Sequence, residues 1–119
     1  ELGLWTSSVT DEYVPYIVPQ EHGLKTDVRW GELSTPSTPR QSLRVVPYAP
    51  MSFSASHFTP EDLTKAFHTY DLSPRDKVVV CLDAFHRGLG TASCGPDTLD
   101  AYRSRARRYR LTCTMLPTA

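Results

Sequence analysis

Met51-Ser52-Phe53-Ser54-Ala55-Ser56-His57-Phe58-Thr59-Pro60-Glu61-Asp62-Leu63 holds a strand and the first turn of a helix in succession. Apolar and polar residues alternate from Met51 to Ser56, so Met51, Phe53 and Ala55 share one face of a half-buried strand. The pattern then changes. Thr59 offers an N-cap hydroxyl, Pro60 suits the first helical position, and Glu61 and Asp62 place acid where the helix dipole favours it. Leu63, Ala66, Phe67 and Tyr70 follow at i, i+3, i+4 and i+7, which predicts a short amphipathic helix ending before Pro74.

Working outward, three more runs read as strands. Tyr109, Leu111, Cys113 and Met115 alternate with Arg108, Arg110, Thr112 and Thr114. Residues 77–82 form a continuous β-branched run, the pattern of a strand covered on both faces. Residues 42–46 are a weaker candidate. Val28 and Trp30 are expected to share a face of one further strand over residues 26–33. Residues 13–18 are aromatic and β-branched, but Pro15 demotes them to an edge or an extended segment. Residues 34–39 are turn formers and predict an exposed loop. Ten prolines among 119 residues leave little room for long helices. The fold class is mostly β, an antiparallel sandwich-like arrangement with one short helix, and residues 1–119 read as a single domain.

Composition narrows the function classes. Thirteen basic residues balance thirteen acidic ones, which argues against a general nucleic-acid binder. No stretch of 18 apolar residues occurs, so no membrane helix is expected. The chain opens on Glu1 rather than Met, which raises the expectation of a piece of something longer. The three cysteines, Cys81, Cys94 and Cys113, cannot pair completely and include no C-x-x-C motif. Cys81 and Cys113 lie in strand-like runs and read as small buried hydrophobes; Cys94 lies in a Gly/Ser loop. A cytoplasmic location fits this cysteine usage.

Chemistry-bearing residues are scattered. Glu21, Asp27 and Asp83 lie near turns, but no local arrangement singles out the carboxylate pair a glycosidase needs. His22, His57, His68 and His86 show no metal-ligand spacing. No nucleophile elbow, phosphate loop or dinucleotide fingerprint is present. Arg103, Arg105, Arg107, Arg108 and Arg110 read as a strand or strand entry with one solvated, guanidinium-covered face, balanced by acids elsewhere. Three loops place polar groups and glycine beside strand-like runs: residues 19–23, 83–90 and 93–96. Such loops form turns or the rim of a cleft or interface.

In order and spacing, these loops and their flanks resemble the C-terminal domain of glycoside hydrolase family 2 β-galactosidases. The matching pieces are Tyr13-Val14-Pro15-Tyr16-Ile17-Val18-Pro19-Gln20-Glu21-His22-Gly23, Thr26-Asp27-Val28-Arg29-Trp30 and Phe53-Ser54-Ala55-Ser56-His57-Phe58-Thr59 with Asp62-Leu63. His68 at the helix end, Leu82-Asp83, Gly88-Leu89-Gly90, Ser93-Cys94-Gly95-Pro96 and the last strand over residues 109–117 complete the set. The resemblance implies the C-terminal portion of a small-chain domain, a galactose-mutarotase-like supersandwich. It implies that the catalytic glutamates, and the family's magnesium and sodium sites, lie outside this chain in and around a (β/α)₈ barrel. The chain itself then carries no cofactor and no catalytic residue. Cys94 falls where the family carries a tryptophan that stacks on the sugar, and a thiol cannot supply that platform.

The implied role is to cover the barrel and help shape the galactoside site. The competing reading is a stand-alone carbohydrate-binding module with a cleft lined by Trp30, Tyr16 or Phe85. A nucleic-acid or protein interface on the strand over residues 103–110 is a third. Open sheet edges and an uncovered apolar face also predict that the isolated piece forms a homodimer or swaps strands.

Overall fold

Two antiparallel three-stranded sheets carry the chain in a computed structural model that describes residues 2–16, 23–87, 92 and 94–118. The strands are β1 (Lys25–Val28), β2 (Gly31–Ser34), β3 (Ser42–Pro47), β4 (Met51–Ser56), β5 (Val79–Asp83) and β6 (Cys113–Thr118). One sheet runs β1-β4-β5 and the other β2-β3-β6. The mostly β class with one short helix is therefore what the alternation predicts.

The central strands of the two sheets, β3 and β4, are consecutive in sequence and joined by residues 48–50. The core sits at this crossover. Val45 is 3% exposed, Met51 2%, and Phe58 is also buried. The Tyr13 ring packs on Phe58 with centroids 5.1 Å apart, which ties the N-terminal segment to the end of β4. The sheets also approach where Phe53 lies against Gly31. A Cβ at residue 31 would come within 3.1 Å of the Phe53 ring, so the close approach calls for glycine.

β4 keeps the alternation read from the sequence. Phe53 pairs with Leu82 and Ala55 with Val80, so these four share the apolar face of the first sheet. β5 departs from its expectation. It pairs with β4 alone, and Val80 and Cys81 are exposed, so it is an edge strand and not one covered on both faces. Cys81 is accordingly not a buried hydrophobe; Cys113 is partly buried.

The strand expected over residues 26–33 is two strands in different sheets. Asp27 adopts φ 56°, and the β1 pairing slips between Lys25 and Val28. A short polar side chain tolerates that left-handed conformation better than a branched one. The chain then turns at Arg29 and Trp30 and enters β2, so Val28 and Trp30 do not share a strand. Trp30 lies instead beneath the Arg44 guanidinium, 4.7 Å from its ring centroid. The last strand is also displaced. β6 spans Cys113–Thr118, leaving residues 109–112 outside it. Pro117 is tolerated because β6 is bonded on one side only, to β3.

The helix α1 spans Pro60–Lys65. Its capping box is complete: the Asp62 N–H donates to Thr59 Oγ1 at 3.2 Å, and the Thr59 N–H donates to Asp62 Oδ2 at 2.9 Å. The helix stops sooner than its periodicity predicts. The Asp71 carboxylate accepts from the Phe67 and His68 N–H groups at 3.1 and 2.9 Å, taking donors that a longer helix would use. A 3-10 turn, Thr69–Asp71, follows, and Phe67 and Tyr70 end exposed instead of packed. His68 stacks on Tyr70 with centroids 4.8 Å apart. Arg75 grips Asp62 through two bonds of 2.6 and 2.7 Å, which holds that carboxyl well below the usual range.

Replacing Met51 by alanine is expected to cost about 2–5 kcal/mol. The same change at Met115, which is 53% exposed, should stay within about 1 kcal/mol. Denaturant unfolding of both variants checks the contrast.

Candidate functional site

The end of β5 and the approach to β6 form a cleft of about 300 Å³ lined by Leu82, Asp83, Ala84, Phe85, Ser104, Tyr109 and Leu111. Its aromatic wall is built by two rings from distant parts of the chain. Phe85 and Tyr109 stack with centroids 5.6 Å apart and planes 26° apart. The Arg107 guanidinium lies over both, 5.4 Å from the Phe85 centroid and 4.9 Å from that of Tyr109. Tyr109 is fixed at its far end: its hydroxyl donates to the Arg105 carbonyl at 3.0 Å and accepts the Arg105 N–H at 3.1 Å. Residues 105–109 are thus closed into a loop by one side chain.

Beside the cleft, Asp97 binds three chain segments together. One of its oxygens accepts from Arg87 and, at 2.7 Å, from the Thr98 N–H. The other lies 3.2 Å from Arg103. Arg87 Nε also donates to Thr98 Oγ1 at 3.3 Å, and Arg103 Nε to the Thr98 carbonyl at 2.8 Å, around a threonine that is 5% exposed. The Thr98 N–H, then Arg87, hold the Asp97 carboxyl below its ordinary range. Asp100 continues the network to Arg103 at 3.2 Å and Arg105 at 3.0 Å. The arginine run is therefore an irregular, acid-balanced segment leading into β6, with Arg107 committed to the aromatic pair. Of the two expected forms, a strand or a strand entry, the segment takes the second, and acids balance it as expected.

Cys94 is exposed, in a turn closed by the Ala92 N–H on the Pro96 carbonyl at 3.3 Å. It does not line the cleft. Glu21, His22, Gly88, Gly90 and Ser93 lie outside the described residues. Asp83 lines the cleft, whereas Asp27 sits in β1, and β4 stands between their strands. His57 is engaged in holding loops, with Nδ1 3.1 Å from the Arg75 carbonyl and Nε2 3.4 Å from Thr10 Oγ1. Among the described residues no group of three or more His, Cys, Asp or Glu could hold a metal ion, and no helix is long and apolar enough to cross a membrane. Of the aromatic candidates Trp30, Tyr16 and Phe85, Phe85 lines this cleft.

Sequence reading missed the Asp97 junction and the Phe85–Tyr109 pair. A signal for the first exists: Asp97 and Asp100 are acids standing directly before the arginine run. The ring pair joins residues too far apart in sequence for any local pattern to reveal.

The Asp97 bonds give a definite pH dependence. A carboxyl whose folded pKa is depressed contributes stability above its unfolded value, near 3.9, and loses it as pH falls through the folded value. Asp97→Asn should therefore leave stability less dependent on pH below about 4 than in the parent chain. The difference should be small, because the side chain is 37% exposed. Acid titration of unfolding midpoints for the two proteins measures it.

Comparison with known proteins adds the family. The sequence model of the family described as beta galactosidase small chain matches residues 1–115. The chain is 30% identical over 110 residues to a beta-galactosidase of Actinobacillus pleuropneumoniae, covering 92% of this chain and 10% of that protein. It is 34% identical over 99 residues to one from Arthrobacter sp. strain B7, covering 81% of this chain and 10% of the other. It is 31% identical over 106 residues to one from Staphylococcus xylosus, covering 89% and 10%. The chain thus spans about a tenth of the length of the curated relatives it matches. With the family pattern running from residue 1 to residue 115, through five of the six strands and into the sixth, this chain belongs to the beta galactosidase small chain family.

Proposed function

We propose that this chain is a non-catalytic part of a β-galactosidase of the glycoside hydrolase family 2 type. It packs against a separate catalytic barrel and supplies part of the wall of the galactoside site. The observation that carries this reading is the near-complete family match, on a chain in which several described acids are engaged in structural bonds. Glu12 is bonded to Lys25, Glu32 to Arg44, Asp62 to Arg75 and Asp97 to Arg87. Such carboxylates are committed to holding loops and strands. A glycosidase pair instead faces a bond from two sides, with its environments tuned apart.

The loop bearing Cys94 is the element we assign to the sugar. It stands exposed on a turn beside the Asp97 junction. The resemblance puts a stacking tryptophan at this position, and aromatic faces suit the apolar C–H face of a pyranose. A thiol there offers a smaller, softer contact, so the parent enzyme should hold its sugar differently from tryptophan-bearing relatives. Magnesium and sodium belong to the barrel in this reading, and no step is assigned to them here.

Grafting tests the role. In the Arthrobacter relative, deleting the matching tenth should abolish hydrolysis of a nitrophenyl galactoside, and residues 1–119 grafted in its place should restore measurable turnover. Within the graft, Cys94→Trp should alter KM more than kcat, by a stacking contribution of about 0.5–1.5 kcal/mol. A folded deletion variant that retained full activity would overturn the reading.

A further inference from the structure

The outer edge of β5 has no use in the role just proposed. β5 bonds to β4 alone, and among the described residues no other hydrogen bond reaches the backbone of residues 79–83. Such an edge is a template for pairing with another chain. The other three edge strands each carry a protection. β1 is four residues long with a slipped register at left-handed Asp27, β2 is four residues long and bears Glu32, and β6 contains Pro117, which has no N–H to donate. β5 has no proline, no glycine and no break in register over Val79–Asp83.

The run Lys77-Val78-Val79-Val80-Cys81-Leu82-Asp83 is complementary to itself in antiparallel copies. Pairing centred on Val80 sets Val80 opposite Val80, Val79 opposite Cys81, Val78 opposite Leu82 and Lys77 opposite Asp83. Among the described residues neither Lys77 nor Asp83 forms an ion pair within its own chain, so opposite charges stand open at the two ends of the run. Val78 and Val80, 39% and 37% exposed, fall on the same face as Leu82, so pairing covers one apolar row with another. A slip of one residue would turn these rows to opposite faces. A slip of two would set Lys77 opposite Phe85 or Cys81 and lose both charge pairs. Zero net charge adds no general repulsion between copies. We infer that two copies of this chain join edge to edge along β5, about a two-fold axis at Val80. The product is one continuous sheet of order β1-β4-β5-β5-β4-β1, which gives the expected homodimer a place and a register.

Sedimentation equilibrium of the 119-residue chain tests the pairing. The seam is short, so a dissociation constant between about 1 μM and 1 mM is expected. Asp83→Lys and Lys77→Asp should each weaken the dimer about tenfold, because each sets like charges face to face. Combining the two reversals recreates the opposite pairing and should restore the parent affinity, which unrelated damage from either change would not do. Cross-linking reads the register independently. With the native cysteines replaced by serine, Val80→Cys should oxidise to a linked dimer, since paired Cα atoms about 4.5–5.5 Å apart suit a disulfide. Cys81 of the parent chain, set opposite Val79, should not link. A monomer at about 1 mM, a dimer indifferent to the single reversals, no recovery in the double variant, or linkage through Cys81 rather than position 80 would overturn the inference.

Discussion

Burial of Val45 and Met51 on either side of residues 48–50 joins the two sheets, and the other elements are placed by it. β3 and β4 are the central strands, so a single short crossover fixes the centre of each sheet relative to the other. β2 and β6 then flank β3, and β1 and β5 flank β4. The Gly31–Phe53 approach is a second, weaker junction along the same line. The core is small. Val45, Met51 and Phe58 are buried, while Val80, Met115 and Leu116 remain exposed on the edge strands.

The site inherits its geometry from this frame. β5 is held by β4, which aims residues 82–85 toward the segment that returns to β3 as β6. Residues 103–112 carry no regular ladder, so side chains fix them instead. Asp97 collects Arg87, Arg103 and the Thr98 N–H, and the Tyr109 hydroxyl closes on Arg105. Ion pairs this exposed contribute little stability each, but they share partners and therefore restrict where the loops can go. Positioning, more than stability, is what the network supplies.

Much of the fold was legible because its signals are local. The alternation at residues 51–56 marks the apolar face of β4, and the Thr59 N-cap followed by Pro60, Glu61 and Asp62 marks the helix start. What failed had non-local causes. The run at residues 77–82 reports what a strand could bury, not whether anything covers it, and β5 has a neighbour on one side only. Leu63, Ala66, Phe67 and Tyr70 keep helical spacing, yet Asp71 captures the Phe67 and His68 N–H groups. The Val28–Trp30 stretch crosses between sheets at a left-handed Asp27, which alternation cannot display. The family was legible from ordered loop motifs, and the match over residues 1–115 agrees with it. The ring pair of Phe85 and Tyr109 was not, since the two residues meet only after folding.

The central claim is that this chain shapes a galactoside site without performing the chemistry. Incubating the purified 119-residue chain with a nitrophenyl β-galactoside measures that claim directly. The account predicts release of nitrophenol no faster than in buffer, at any pH between 5 and 8. Saturable turnover that tracks the purified chain, and survives replacement of Glu21 and Asp83 by alanine, would contradict it.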